Sequence, residues 1–269
     1  MKIMHHWIKN VIRSSLAKVN VGITRYSTLE SLYRSKTASR DLDLLLKLPR
    51  RDGERLLEFF GKSSSQLGQD IFVLSVLGFK ENGFFVEFGA ADGVRFSNTF
   101  LMERMFKWNG VLAEPAVCWY DRLKKNRMCA IDTRCVWRDS TSKLLFNEVD
   151  IPELSTIDSF SNIDMHSRVR KLGRKYLVDT ITLDDLLDHY GCPRQIDYIS
   201  IDTEGSEYEI LKSFPFEKYD VTIFTVEHNY SPGRENIFNL LFSKGYRRVL
   251  EDLSCFDDWY IRSDIKFPL

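Results

Sequence analysis

The chain has 269 residues, of which 43% are hydrophobic and 28% are charged, so it is long enough to bury one large core. Its 38 Lys and Arg balance 38 Asp and Glu, which excludes the strong basic charge typical of nucleic-acid-binding proteins. No apolar run reaches the ~18 residues of a transmembrane span, and the N-terminus lacks the apolar centre of a secretory signal. We therefore expect a cytoplasmic protein that does not bind nucleic acid.

The beginning of the chain carries a basic excess, with 12 Lys and Arg against 5 Asp and Glu in residues 1–55. Apolar residues recur at helical spacing within residues 1–26, with basic residues between them, which predicts a basic amphipathic helix. Two interpretations are open for this helix. It either contacts the inner face of an anionic membrane peripherally or packs as an ordinary helix on the main domain.

A short polar segment, "GKSSSQLG" at residues 61–68, predicts a linker. We therefore expect a basic helical extension at residues 1–62 and a main domain at residues 63–269. Within the extension, further helical patterns lie at 28–35, 40–48 and 51–60.

In the main domain, apolar strand-like runs alternate with helical patterns. This alternation predicts a doubly wound α/β fold, in which a parallel sheet has helices on both faces. The predicted strands lie at 83–89, 110–113, 128–137, 196–201, 221–226 and 246–250, and the predicted helices at 98–107, 116–126, 183–189, 206–214 and 234–244. Residues 142–150 predict an additional strand, and residues 151–175 a long loop with one helix, of the kind that often forms a lid.

The first strand ends in a glycine turn, "FFVEFGAADG" at residues 84–93. In doubly wound folds, ligands bind outside the strand ends near such a turn. The turn matches neither the dinucleotide fingerprint nor a P-loop, because Gly89 is followed only by Gly93 and no Gly-Lys-Ser/Thr follows. Glu87 and Asp92 would repel a pyrophosphate. They suit a cationic ligand without phosphate, such as S-adenosylmethionine.

The second strand ends in an acid, Glu114 in "GVLAEP", 25 positions after Gly89. An acid at this place accepts hydrogen bonds from the ribose hydroxyls of an adenosine cofactor. This feature is shared by proteins that bind NAD and proteins that bind S-adenosylmethionine. A solvated acid at a strand end is the alternative interpretation.

Two later strands also end in polar residues. "IDYISIDTEGSEYEIL" at 196–211 places Asp202 at a strand end with Glu204 after it, and "VTIFTVEHNY" at 221–230 ends in Glu227 and His228. We favour His228 as a general base, with Asp202 and Glu227 as orienting groups. A structural role for His228 stays open. A divalent-metal site formed by Asp202, Glu227 and His228 is an alternative that the spacing permits without requiring.

Six motifs in this order and spacing resemble the FkbM family of S-adenosylmethionine-dependent methyltransferases, over about residues 65–262. The motifs are "SQLGQD", "FVEFGAADG" with "SNT", "LAEPA", "DTITLDDLL", "IDYISIDTEGSEYEIL" and "TVEHNY". The resemblance implies a class I methyltransferase fold, which is Rossmann-like and has a mostly parallel seven-stranded sheet with an antiparallel last strand. It also implies O-methylation, commonly of sugar hydroxyls in surface polysaccharides, glycolipids or secondary metabolites.

The resemblance also assigns roles to residues of this sequence. The turn of the first strand would surround the amino-acid end of the cofactor, Glu114 would bind the ribose, and the third strand would contact the adenine. Asp202 and Glu204 would lie near the methyl group and the acceptor, a saccharide or a glycolipid. The cofactor-binding residues predicted in this way are Glu87, Gly89, Ala90, Asp92, Gly93, Asn98, Glu114, Pro115, Cys135, Val136 and Asp202, and the predicted catalytic residues are Asp202, Glu204, Glu227 and His228.

Two other functions are compatible with the fold. An NAD-dependent oxidoreductase predicts a GxGxxG turn, which the sequence lacks. A non-catalytic binding protein would have no chemical need for the acids Glu87, Glu114, Asp202 and Glu204. The sequence does not identify the acceptor, because acceptor specificity resides in loops such as residues 151–178.

Overall fold

The computed structural model describes residues 38–49, 52–164 and 166–267. Contacts group the residues from Asp43 onward into one compact unit, separate from the residues before it. The amphipathic helix predicted within residues 1–26 and the helix predicted at 28–35 lie outside the described residues. Of the helices in the described ranges, none is long and apolar enough to cross a membrane.

The described residues include eleven strands and, from Gly53 onward, nine α-helices. The strands are β1 (Phe84–Phe88), β2 (Asn109–Ala113), β3 (Ala130–Asp132), β4 (Cys135–Val136), β5 (Lys143–Glu148), β6 (Thr156–Ile157), β7 (Arg174–Ile181), β8 (Gln195–Ile201), β9 (Asp220–Glu227), β10 (Tyr246–Val249) and β11 (Asp257–Arg262). The helices are α1 (Gly53–Phe60), α2 (Gln69–Val76), α3 (Phe100–Phe106), α4 (Tyr120–Asn126), α5 (Ser167–Arg170), α6 (Leu183–His189), α7 (Glu207–Ser213), α8 (Arg234–Ser243) and α9 (Glu251–Ser254). Residues 38–47 are also helical.

Seven strands form the main sheet, in the order β10-β11-β9-β8-β1-β2-β3. Neighbouring strands from β9 to β3 pair in parallel, whereas β11 runs antiparallel to both β9 and β10. The predicted class I methyltransferase sheet, with an antiparallel last strand, is therefore confirmed. The order reverses at β1, which lies between β8 and β2, so this sheet edge is where a ligand crevice is expected.

Both faces of the main sheet are buried. Successive side chains of a strand point to opposite sides, so each strand contributes residues to the core on both faces. Phe85 and Tyr198 belong to one hydrophobic cluster, whereas the adjacent Val86 and Ile199 belong to the other. These strands therefore read as continuous apolar runs, which is why the sequence predicted them well.

Helix α2 was absent from the predicted elements. Its residues from Gln69 to Ser75 are all buried, and Ile71 to Leu74 are fully inaccessible to solvent. A helix that is buried all round lacks the apolar stripe from which helices are recognised. Leu56 and Phe59 of α1 pack in the same hydrophobic cluster as Ile71, so the compact unit includes residues on both sides of the polar linker.

The segment between β3 and α6 builds a second, four-stranded sheet in the order β4-β7-β5-β6. The single strand predicted at 128–137 is thus two strands in different sheets. They are separated by a bend at which the Asp132 carboxylate accepts the backbone N–H of Arg134 at 2.8 Å. The strand predicted at 142–150 is β5. The region predicted as a loop with one helix contains α5, and it also contains β6 and the beginning of β7, two strands that the sequence did not predict.

Candidate active site

A cavity of about 410 Å³ lies at the carboxyl ends of β1, β2, β8 and β9. The second sheet and its connections form part of the wall through Phe146, Ile157 and His166. The long insertion therefore covers the crevice predicted from the strand order. Among the described residues that line the cavity, six carry carboxylates and one is arginine.

Glu87 reaches the cavity wall, but its carboxylate is occupied by protein donors. It accepts hydrogen bonds from the Ser97 hydroxyl at 2.9 Å, the Asn98 backbone N–H at 2.7 Å and the Thr99 hydroxyl at 2.5 Å. The guanidinium of Arg127 lies 3.5 Å away and is fully buried. Glu87 thus holds the turn before α3 and lies near a buried guanidinium that it shares with Glu103, which the sequence did not reveal.

Asn98 joins that turn to the neighbouring strand. Its side-chain Nδ2 donates to the Ser200 hydroxyl at 2.9 Å, and the residue lines the cavity. Its Oδ1 is buried without a hydrogen-bond partner among the described residues. Asn98, which was predicted among the cofactor-binding residues, therefore holds the turn through its contact with Ser200.

Asp92 and Gly93, predicted to surround the cofactor, lie behind the turn and outside the cavity wall. The Asp92 carboxylate accepts the backbone N–H groups of Val94 and Arg95 at 2.9 and 2.8 Å. Gly93, at a φ of 78°, packs so tightly that an added Cβ would lie 2.6 Å from Cγ of Arg127. Both residues shape the loop. The Asp92 carboxylate binds backbone groups of the loop, and Gly93 leaves the space that the Arg127 side chain occupies.

Glu114 lies at the end of β2, in the cavity wall, as the sequence predicts. One oxygen accepts the Ala91 N–H and the other accepts the Ala116 N–H, each at 2.8 Å. Burial raises the pKa of Glu114 to about 7, against the lowering effect of these two hydrogen bonds. A carboxylate has about four acceptor positions, so two remain for hydroxyl donors of a ligand.

Other predicted cofactor contacts also reach the wall. Ala90 and Pro115 follow β1 and β2, and Cys135 and Val136 form β4. Trp119, which the sequence analysis did not select, lies beside them in the wall. This end of the cavity therefore offers an acid beside apolar surface, the combination that suits a ribose and its base.

Three acids meet at the other end of the cavity. Asp202 follows β8, Glu227 ends β9, and Glu204 lies on the turn before α7 at a φ of 58°. One carboxylate oxygen from each lies within 4.8 Å of the others. We call these three residues the acid cluster.

The second sheet positions Glu204. The fully buried Arg170 of α5 donates to its carboxylate at 2.7 Å, and the Asn229 side chain does so at 3.1 Å. The hydroxyl of Thr156 donates to the backbone oxygen of Glu204 at 2.9 Å. Arg170 and Thr156 lie in the segment predicted as a loop, where no local pattern marks a buried ion pair.

Burial dominates the electrostatics of the acid cluster. Desolvation raises the pKa of Asp202 to about 7 and that of Glu204 to about 9, the latter despite Arg170. The pKa of Glu227 is also raised, by burial and then by the charge of Asp202. The cluster therefore binds protons or cations near neutral pH.

His228, the predicted general base, does not line the cavity. Its Nδ1 accepts the Tyr230 backbone N–H at 2.9 Å, and its Nε2 lies 3.7 Å from Asp258. Burial lowers the pKa of His228. Consecutive residues of an extended strand point to opposite sides, so a cavity-facing Glu227 turns His228 away. His228 also lies outside the acid cluster, whose carboxylate oxygens come from Asp202, Glu204 and Glu227.

The family model described as "Methyltransferase FkbM domain" matches residues 87–248. Among solved structures, the chain is similar to "Methyltransferase FkbM from Methylobacillus flagellatus KT", at 14% identity and a TM-score of 0.47, over 84% of this chain and 59% of that one. It is similar to a putative RNA methyltransferase from Pyrococcus horikoshii at 12% identity and a TM-score of 0.34, over 68% and 67%. No curated protein matches the chain.

Proposed function

Because the chain belongs to the FkbM methyltransferase family, we propose that it transfers a methyl group from S-adenosylmethionine to a hydroxyl oxygen. We propose as acceptor a sugar of a surface glycan, a glycolipid or a secondary metabolite. The acid cluster at the Gly89 turn is the observation that carries this proposal. A hydroxyl must lose its proton to attack a methyl group, and the cluster is a buried acceptor of protons.

The residues of the cavity fit the proposed cofactor. Glu114 keeps two acceptor positions for ribose hydroxyls, and Val136 and Trp119 supply apolar surface beside it. The surplus of carboxylates in the wall disfavours a pyrophosphate and favours a ligand with positive charge. When bound, S-adenosylmethionine supplies an electrophilic methyl group attached to a sulfonium.

Glu227 is the proposed base. Its Oε2 is buried and has no hydrogen-bond partner in the described part of the chain, and the positive charge of a bound cofactor would favour its ionised, proton-accepting form. In the proposed reaction the acceptor O–H bond breaks and its proton passes to Glu227. The acceptor oxygen forms a bond to the methyl carbon as the carbon–sulfur bond breaks, and Glu227 later releases the proton to water. Alignment and exclusion of water by the second sheet supply the remaining rate enhancement.

The outer wall supports a saccharide acceptor. Tyr230 is 62% exposed and Phe96 is 36% exposed, and both line the cavity. The guanidinium of Arg95 lies 4.5 Å from the ring centre of Phe96 and pairs with Glu153 at 3.1 Å. Aromatic faces beside charged groups can pack against the apolar faces of a sugar and bind its hydroxyls.

The test uses S-adenosylmethionine with a trideuterated methyl group and a panel of saccharides and glycolipids. We expect formation of S-adenosylhomocysteine and a product in which mass spectrometry and NMR place the label on an ether oxygen. Label on nitrogen or carbon would contradict O-methylation. Failure of the pure protein to bind S-adenosylhomocysteine would instead favour a non-catalytic binding protein.

A further inference from the structure

Buried acids around the cavity differ in how many donors they have. Glu87 accepts three hydrogen bonds, Glu114 accepts two, and Glu207 accepts three, from Thr203 and Gly205. The protein thus provides donors for these carboxylates, as buried charged groups require. The number of donors to these three carboxylates can be compared with the number of donors to the acid cluster.

The acid cluster lacks such donors. Glu227 is only 6% exposed, so water cannot easily replace a protein donor. Its Oε2 is nevertheless without a hydrogen-bond partner among the described residues. The carboxyl group of Asp202 has Glu227 as its hydrogen-bond partner in the same described ranges, so these two acids bind each other and no other protein donor. Only Glu204 has donors, Arg170 and Asn229, and both reach the same oxygen. Most oxygens of the cluster therefore face one another and the cavity.

Positive charge from the protein does not balance the cluster. Arg170 pairs with Glu204 at 2.7 Å, but the same guanidinium also pairs with Asp164 at 2.8 Å. One guanidinium is therefore shared between two carboxylates, and Asp202 and Glu227 have no Lys or Arg partner among the described residues. Negative charge in such a buried site must be neutralised, either by bound protons or by a cation that replaces them.

We propose that a divalent cation of the oxygen-preferring class, such as Mg²⁺, Mn²⁺ or Ca²⁺, binds between Asp202, Glu204 and Glu227. The three carboxylate oxygens lie within 4.8 Å of one another. Two oxygens on opposite sides of Ca²⁺ are separated by about 4.8 Å, twice a metal–oxygen distance of about 2.4 Å. An all-oxygen ligand set selects this class of ion over zinc or copper.

The cation deepens the proposed methyl transfer, and its catalytic role rests on that proposal. An ion held by Asp202, Glu204 and Glu227 would supply Lewis acidity beside the cavity, where it would bind the acceptor oxygen and lower the pKa of its hydroxyl. The bonds formed and broken are the same as without the cation. The proton passes to a carboxylate as the oxygen–carbon bond forms and the carbon–sulfur bond breaks. The rival occupant is the positively charged end of the cofactor itself.

The test measures Mn²⁺ binding to the full chain by electron paramagnetic resonance, without cofactor or acceptor. We expect one saturable site from which excess Ca²⁺ or Mg²⁺ displaces Mn²⁺. The variants Glu227→Gln and Asp202→Asn, which keep side-chain shape, should each weaken binding about tenfold or more. The control Glu153→Gln, an acid of the cavity wall outside the cluster, should change affinity less than about twofold.

Saturating S-adenosylhomocysteine and S-adenosylmethionine are then added separately. Retention of bound Mn²⁺ with both supports the proposal. Stoichiometric displacement by either would assign the acid cluster to the cofactor's charged end and overturn it. Absence of saturable binding up to ~1 mM Mn²⁺, the weak end of protein sites, would also overturn it. This measurement does not involve turnover, so a negative result would refute the cation site without refuting the proposed methyl transfer.

Discussion

Gly89 and Asp202 meet at the carboxyl ends of β1 and β8. An added Cβ at position 89 would lie 1.8 Å from the backbone oxygen of Asp202, and Gly89 has a φ of 71°. Gly89, in the turn near which the sequence predicted a ligand, is thus required by the packing of the protein itself. It allows the cofactor turn and the acid cluster to lie side by side.

Gly89→Ala is expected to lower the free energy of unfolding by about 3 kcal/mol, because it adds both a backbone clash and a strained φ. The matched control is Gly191→Ala, which also has a positive φ, 59°, but no heavy atom within 4 Å of the added Cβ. The control should cost only about 1 kcal/mol. Urea unfolding of both variants measures the difference. Equal losses of unfolding free energy would show that a small backbone shift relieves the clash at position 89.

Glu114→Gln should weaken binding of S-adenosylhomocysteine by about 10- to 100-fold. The amide replaces one acceptor oxygen by a donor group that faces a backbone N–H, and it removes the charge that favours ribose hydroxyls. Isothermal titration calorimetry measures the affinity, and Glu148→Gln, on β5, is the control. Unchanged affinity in Glu114→Gln would refute the ribose assignment.

Glu227→Gln should lower kcat by about 100-fold or more, because it removes the proposed proton acceptor. His228→Gln should change kcat by less than about threefold, because His228 lies outside the cavity wall, although it should cost about 1 kcal/mol of stability through its contact with Tyr230. Steady-state kinetics across pH compares the two. A larger kcat loss in His228→Gln would restore His228 as the base.

The metal-free protein should lose stability as pH rises above about 5. Burial raises the pKa of Glu114 from 4.5 to about 7 and that of Asp257 from 3.8 to about 8. Both acids hold their protons more tightly when the chain is folded, so the folded state binds more protons in this window and the unfolding free energy falls.

The expected slope is about 2 to 3 kcal/mol per pH unit between pH ~5 and ~7, about 1.4 for each of the two acids, measured by urea unfolding with EDTA present. Asp257→Asn should reduce the slope, since the amide oxygen can still accept the hydrogen bond from Gln69 and no longer ionises. A stability that increases between pH ~5 and ~8 would contradict the assignment of these buried acids.

We also propose that residues 1–26 bring the enzyme to an anionic membrane, which would place it near a lipid-linked acceptor. The basic excess of residues 1–55 motivates this proposal. Deletion of residues 1–26 should abolish sedimentation with vesicles that contain anionic lipid, while the full chain should not bind neutral vesicles. Equal binding of the deleted and full chains would refute it.

The sequence predicted the main sheet well because its strands are buried on both faces and end in glycines or acids. Each of the six strands predicted from apolar runs is present, although the third was too long, and β11 of the same sheet was not among them. Helix α2 and strand β7 were missed for opposite reasons. Helix α2 has no polar face, whereas Arg174, Lys175 and Asp179 make β7 look like a solvent-exposed segment.

The sequence by itself determined the fold class, the glycine turn and the presence of acids at four neighbouring strand ends, since strand period and chain order are local properties. Only the tertiary structure decided which acids face the cavity without donors. Glu204 depends on Arg170, 34 residues away, and Glu87 on Arg127, whose guanidinium reaches it from behind the turn. Hydrogen-bond donors come from distant segments, so the charge available to a ligand is a property of the folded chain.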